Sequence, residues 1–225
     1  MKKNEITLLG FMCICVCGLI AAFHLGGNAP SVALKTLAST CFFVLSLFHY
    51  KKMEQNLMAA RFMIVAFFCS LCGDVLLALD RNNGMMFVSG VASFAAAHIL
   101  FSVAFCKMKR FANTDAVTAS ALFIITLAIL IFGGKFDYQG LFAVLVAYAA
   151  IISFMVANAL SLRKSTMISK NAAKLIAVGA VLFLISDIIL LYWLFGINMP
   201  PIVQSANWVF YYAAQACLAY SMSIK

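Results

Sequence analysis

Apolar residues run along this chain in blocks of about 20, the length of helix that crosses roughly 30 Å of hydrocarbon. Short stretches holding charges, glycine, asparagine and proline separate the blocks. The pattern predicts an all-α, polytopic membrane bundle of eight transmembrane helices, with residues 1–225 forming one transmembrane domain. The predicted spans are Ile6–Leu25, Val32–His49, Arg61–Leu79, Met85–Cys106, Ala116–Phe132, Gly140–Leu162, Ala172–Phe195 and Gln204–Ser223.

The composition indicates lipid surroundings too. Hydrophobic residues make up 65% of the 225 positions and charged residues 10%, against about 25% charged residues in soluble domains. A soluble chain of this size would bury only about 70–75% of the surface exposed by its unfolded form, which is too little for so apolar a sequence. Membrane lipids are therefore the expected partners of the spans.

Lysine and arginine account for 16 residues, aspartate and glutamate for 7, and the formal net charge is +9. The basic residues lie at the ends of the apolar blocks, a pattern typical of topology signals and not of a nucleic-acid site. With a cytoplasmic N-terminus, only Lys35, Arg81 and Lys135 fall on the outer side. We therefore expect both termini in the cytoplasm.

The first block follows Met1, Lys2 and Lys3, as in a signal peptide, but the run from Ile6 to Phe23 is long and no A-x-A site follows it. We expect an uncleaved span, in a protein of the bacterial inner membrane. Faint similarity between the two halves suggests a parallel repeat of four plus four spans. All three prolines are expected in outer connections: Pro30, Pro200 and Pro201.

Eight cysteines and three histidines raise the question of a metal site. The cysteines all lie inside apolar blocks, where this residue is usually small and buried. Cys69 and Cys72 have the C-x-x-C spacing, but no second pair accompanies them. His24, His98 and His49 are expected at the outer end, the middle and the inner end of their spans, too far apart for one zinc ion. We expect no metal and no cofactor.

Two of the seven acidic residues, Asp74 and Asp187, lie well inside predicted spans. An acid in hydrocarbon costs about 2.5–3.5 kcal/mol on insertion scales, so it usually faces a cavity or partner and serves function. From the cytoplasmic ends at Arg61 and Ala172, they lie about 20 Å and 23 Å along their helices. They share one level in the outer half of the bilayer, and the sequence leaves open whether they face each other.

Five further polar residues fall at nearby depths. Lys35 enters span two from the outside, His98 lies near the midplane, and Tyr211, Tyr212 and Gln215 lie two to three turns below the outer end of span eight. Each has an ordinary structural alternative. Tyrosines form interfacial belts, a lysine can extend to the surface, and a histidine can join packed helices.

The pattern of these residues resembles the YhhN-type lysoplasmalogenase family over nearly the whole chain. The shared elements are Lys35, Ser70–Asp74, Gly90–His98, Gly179–Asp187 and Tyr211–Gln215. Two departures occur. The family often has proline after the span-two lysine, where this chain has Thr36, and an aromatic residue after His98, where Ile99 stands.

The resemblance implies hydrolysis of the vinyl-ether bond of a lysoplasmalogen, a lysophospholipid, to a fatty aldehyde and glycerophosphoethanolamine or glycerophosphocholine. Vinyl-ether cleavage protonates the β-carbon, and water attacks the oxocarbenium-like product. One protonated and one ionised carboxyl can share these tasks, as in glycosidases. Asp74 and Asp187 are the predicted catalytic pair, with the proton donor undecided, and Lys35 is predicted to bind the lipid phosphate. The other predicted substrate-binding residues are His98, Ser186, Tyr211, Tyr212 and Gln215.

Two other functions are compatible with the same acids. Intramembrane acids also mark proton relays, as in a proton-coupled or lipid transporter, although the sequence has neither an inverted repeat nor interrupted spans. A non-catalytic lipid-binding or assembly protein would tolerate substitution of both aspartates and release no aldehyde. A membrane hydrolase is the main hypothesis.

Overall fold

The structure is a computed structural model that describes residues 3–50, 52–53, 56–79, 84–110 and 112–224. Four basic residues of the predicted charge pattern lie outside the described residues, as does Met1: Lys2, Lys51, Arg81 and Lys225. Eight α-helices and one short 3-10 helix, Leu162–Lys164, form the regular structure of the described ranges. The α-helices are α1 Lys3–His24, α2 Asn28–Tyr50, α3 Leu57–Leu79, α4 Met85–Lys107, α5 Asn113–Phe132, α6 Phe142–Ser161, α7 Lys170–Phe195 and α8 Ile202–Ser221.

Seven of these eight described helices, α1 to α7, are long and apolar enough to cross a membrane. The predicted all-α, multi-pass membrane architecture is thereby confirmed. Helix α8 is less apolar because it carries Gln204, Asn207 and Gln215, whose side chains are buried inside the bundle. Burial against other helices lets such amides form hydrogen bonds that lipid cannot supply.

The predicted spans end within a few residues of the observed helices, with one informative difference. Helix α2 begins at Asn28, before the predicted Val32, so Pro30 lies in its first turn and not in the connection. The prediction for Pro30 was wrong because the first turn of a helix tolerates proline. Its backbone nitrogen needs no partner within the helix there.

Small residues set the closest helix contacts, between α3 and α4 and between α7 and α8. A Cβ atom on Gly73 would lie 2.7 Å from the ring of Phe94, and one on Gly179 would lie 2.9 Å from Leu218 Cγ. Because glycine has no Cβ atom, the neighbouring helix can pack this closely against it. The contact at Gly73 holds the next residue, Asp74, against the interior of the bundle.

The connections after α1, α3, α5 and α7 lie at what we call the outer end, following the charge pattern; the opposite end is the basic end. At the outer end, Asp137 N donates to Phe195 O at 2.8 Å, and Ile197 N donates to Lys135 O at 3.2 Å. These bonds join the α5–α6 connection to the α7–α8 connection. Helix α5 itself packs chiefly against α6.

Ion pairs tie helix ends together at the basic end. The buried Glu5 of α1 accepts from Lys52 at 2.7 Å, and its Oε1 lies 3.1 Å from His49 Nε2. Lys109 pairs with Asp115 in the first turn of α5. These contacts hold the helices together at the end of the bundle opposite the outer end.

Candidate functional site

Asp74 is surrounded by hydrogen-bond donors from α2 and α8. Lys35 Nζ lies 3.2 Å from Asp74 Oδ1, while Ser39 Oγ and the Tyr211 hydroxyl donate to Oδ2 at 2.7 Å and 2.6 Å. The side chain of Asp74 is 3% exposed and that of Lys35 is 12% exposed. Because a carboxylate only accepts, three donors that include an ammonium group suit its ionised form.

Two further predicted residues hold this cluster in place. The Tyr212 hydroxyl donates to the backbone carbonyl of Lys35 at 3.1 Å and lies 3.0 Å from Ser39 Oγ. Gln215 Nε2 donates to the Tyr211 hydroxyl at 3.1 Å. Both tyrosine rings are buried inside the bundle. They therefore orient the groups around Asp74 and do not form an interfacial belt.

Asp187 has a separate set of partners, from α4 and α6. The Tyr148 hydroxyl donates to Asp187 Oδ2 at 2.8 Å, and His98 Nε2 lies 3.2 Å from the same oxygen. His98 Nε2 also lies 2.8 Å from the Tyr148 hydroxyl, and its Nδ1 lies 3.3 Å from Met155 Sδ. His98 is fully buried, whereas the side chain of Asp187 is 13% exposed. The three polar groups form a triangle, with Asp187 at its accessible corner.

Both aspartates border one cavity of about 190 Å³, which we call the polar chamber. Two of its lining residues carry a buried polar atom, Gln204 Oε1 and Trp208 Nε1, that has no hydrogen-bond partner among the described residues. Such an unpaired group costs roughly 1–3 kcal/mol. Among the residues that line the chamber, Gln204 thus contributes an unpaired acceptor and Trp208 an unpaired donor. Its lining residues are Lys35, Asp74, Leu77, Phe87, Phe94, Asp187, Leu190, Trp193, Leu194, Gln204, Asn207, Trp208 and Tyr211.

A second cavity of about 90 Å³, which we call the apolar annex, adjoins the chamber. Apart from the residues that it shares with the chamber, its lining consists mostly of aliphatic side chains of α5, α6 and α7, among them Leu130, Ala149 and Ile188. Asp187 therefore lies where a polar cavity and an apolar cavity meet. The residues that line both are Leu77, Phe87, Phe94, Asp187, Leu190 and Leu194.

Ser186 lies behind the chamber. Its Oγ donates to the Phe183 carbonyl at 2.9 Å and lies 3.5 Å from Asp187 Oδ1. Asn207 Nδ2 donates to the Ser186 carbonyl at 2.8 Å. The structure thus places Ser186 next to Asp187 without placing it in the cavity lining.

Sequence reasoning overlooked five residues of this site: Ser39, Tyr148, Gln204, Asn207 and Trp208. Ser39 follows Lys35 by four residues, so the two share a helix face, a usable signal. Tyr148 stands inside an apolar span away from both ends, which is unusual for an interfacial tyrosine. The catalytic and substrate-binding roles that the sequence predicts for the other residues of the site remain predictions.

The three histidines have separate partners. His24 Nε2 lies 3.0 Å from Ser205 Oγ, whereas His49 contacts Glu5 and His98 contacts Asp187. Over the part of the chain that the structure describes, no three His, Cys, Asp or Glu side chains are grouped to hold a metal ion. Each histidine therefore has its own polar partners, which for His49 include the Ala219 carbonyl, 3.1 Å from Nδ1.

Comparison with known families gives the site its context. The model of the YhhN family matches residues 9–222, from α1 to the end of α8. The chain belongs to the YhhN family. The matched region of this YhhN protein contains both aspartates, the polar chamber and the apolar annex, and the predicted family is confirmed. No curated protein and no solved structure matches the chain.

Proposed function

We propose that this YhhN protein hydrolyses the vinyl-ether bond of lysoplasmalogens in a bacterial inner membrane, releasing a fatty aldehyde and glycerophosphoethanolamine or glycerophosphocholine. Family membership is consistent with this activity. The observation that carries the proposal is that two carboxyl groups with unlike partners border one small cavity within the bundle. Environments that separate two carboxyls in this way suit one acid and one base.

Asp74 acts as the ionised carboxylate. Lys35, Ser39 and Tyr211 hold its charge in position. A fixed negative charge stabilises an oxocarbenium-like transition state and accepts a proton from the attacking water. Because Lys35 also lines the chamber, its ammonium group also donates to the phosphate of the substrate.

The proton that starts the reaction comes from Asp187. A thioether only accepts, so His98 Nδ1 carries a hydrogen where it engages Met155 Sδ. One further proton is then shared between His98 Nε2 and Asp187. A neutral imidazole beside a carboxylic acid avoids two separated charges in a dry site. Asp187 faces the chamber and is the catalytic acid, while His98 and Tyr148 are positioning residues.

The reaction returns both carboxyls to their starting forms. Asp187 transfers its proton to the β-carbon, and the positive charge spreads over the α-carbon and the ether oxygen. Water adds to the α-carbon and gives one of its protons to Asp74. The product of this addition is a hemiacetal. The hemiacetal then gives its hydroxyl proton to Asp187 while Asp74 protonates the departing glycerol oxygen, so the carbon–oxygen bond breaks and the aldehyde forms.

The polar chamber holds the glycerophosphate half of the lipid. Trp208 Nε1 and Lys35 Nζ donate to phosphate oxygens. Gln204 Oε1 accepts from the free hydroxyl that distinguishes a lysolipid from a diacyl-type lipid. These hydrogen bonds to Trp208 and Gln204 recover the free energy that burial without a partner costs the two groups.

Aldehyde release from a purified 1-alkenyl lysophospholipid tests the proposal. We expect Asp74→Asn and Asp187→Asn each to lower kcat about 10²–10⁴-fold. Asp115→Asn is the matched control, since Asp115 is a buried aspartate with a lysine partner at the basic end. Near-normal turnover in either chamber variant removes that residue from the mechanism. Wild-type protein that exchanges labelled lysolipid across liposomes without releasing aldehyde supports transport instead.

A further inference from the structure

Asp187 stands at the boundary between the polar chamber and the apolar annex. A lysoplasmalogen has the same asymmetry, because its vinyl ether joins a polar glycerophosphate to a hydrocarbon chain. We propose that the apolar annex binds the first carbons of the alkenyl chain, so that the ether carbons lie at Asp187. This assignment rests on the proposed function and adds the position and path of the chain.

The annex is small, at about 90 Å³. On α5 and α6, the lining residues farthest from the outer end are Thr126 and Ile152. Thr126 Oγ lies 3.4 Å from the Oγ of Ser153, the residue after Ile152, and Ser153 is fully buried. Ile152 is only one turn, about 6 Å, past Tyr148 on the same helix. The annex therefore holds a short part of the chain and not its full length.

The remainder of the chain reaches lipid beside α5. The annex is lined by α3, α4, α5, α6 and α7, but over the described residues α5 packs chiefly against α6. The sides of α5 that face α4 and α7 are thus less tightly sealed. Exposed residues on α5, including Ile125 and Ile131, continue the apolar surface outward. A lysolipid can enter sideways from the bilayer along this path, with its headgroup already near the outer end.

Photolabelling with a non-hydrolysable lipid tests the assignment. The probe is a saturated 1-O-alkyl lysophosphatidylethanolamine with a diazirine within the first carbons of its chain. We expect the label on residues 126–130 of α5 and 188–194 of α7. Ala149→Phe fills the annex and should reduce this labelling at least ten-fold. Ala150→Phe is the matched control, because Ala150 is the neighbouring residue and is exposed on the bundle surface.

Labelling spread over outward-facing residues of α1 or α5, or labelling of Ala149→Phe at the wild-type level, overturns the annex assignment. Leu130→Trp fills the same space from α5 and serves as the second variant if Ala149→Phe does not fold. The probe has no vinyl ether, so labelling does not depend on turnover. Annex labelling without aldehyde release from the natural lipid removes only the proposed hydrolysis, whereas aldehyde release with labelling elsewhere removes only the annex assignment.

Discussion

Removing Lys35 alone should destabilise the protein more than removing both charges of its ion pair. Lys35 Nζ lies 3.2 Å from Asp74 Oδ1, with 12% and 3% of the two side chains exposed. Lys35→Met leaves the carboxylate with two hydroxyl donors and no opposite charge. Loss of one partner from a buried pair costs about 3–5 kcal/mol, whereas replacing both charges is often close to neutral. In Lys35→Met/Asp74→Asn, the amide oxygen still accepts from Ser39 and Tyr211.

A thermal assay measures this difference directly. The eight cysteines are free thiols, most of them partly or fully buried, so a thiol-reactive dye reports unfolding in detergent. We expect the double variant to unfold close to the wild-type temperature, and Lys35→Met well below it. The double-mutant cycle should give a coupling free energy of at least about 3 kcal/mol, because the cost of Lys35→Met disappears in the double variant. Additive effects of Lys35→Met and Asp74→Asn would refute a buried ion pair. Under the proposed mechanism, aldehyde release is lost in the double variant, because the charge that we assign to catalysis at Asp74 is gone.

Three further predictions concern other parts of the molecule. Tyr148→Phe removes a hydroxyl that contacts both Asp187 and its histidine partner, His98. The kcat should therefore fall about ten-fold or more, while the unfolding temperature changes little. An unchanged kcat would mean that Tyr148 has only a packing role. Gly73→Ala should lower the free energy of unfolding by about 1–3 kcal/mol, because the added methyl group overpacks against the Phe94 ring. Gly10→Ala is the control, since Gly10 has open space around it and its substitution should not destabilise the protein. Equal unfolding temperatures for the two variants would contradict the close α3–α4 contact. Glu5→Gln should make α1 more susceptible to limited proteolysis at the basic end, with proteolysis at the wild-type rate as the contrary result.

The helices could be predicted because lipid permits few alternatives. Backbone groups in hydrocarbon must pair within their own segment, so each long apolar block has to be a helix. The depth of Asp74 and Asp187 followed from counting residues along those helices, and both do line one cavity. The largest differences are at two helix starts: α2 begins at Asn28 and not Val32, and α3 begins at Leu57 and not Arg61.

The partners of the two carboxyls could not be predicted from the sequence. They depend on how each helix is rotated about its axis, which small residues such as Gly73 and Gly179 decide through contacts distant in the chain. Tyr148 meets Asp187 from 39 residues away, and Tyr211 meets Asp74 from 137 residues away. Depth in the membrane follows from residue counting, but the direction of a side chain does not.

The polar face of α8 has a consequence for biosynthesis. Among the described helices it is the one not apolar enough to count as a span by itself, and its amides raise the free energy of entering the bilayer alone. Helix α7 is translated first and supplies a surface along α8, including the Ser186 carbonyl that accepts from Asn207. Insertion of α8 is thus coupled to the presence of α7. Substitutions that weaken this pair should lower the amount of protein in the membrane through quality-control proteases before any effect on catalysis can be measured.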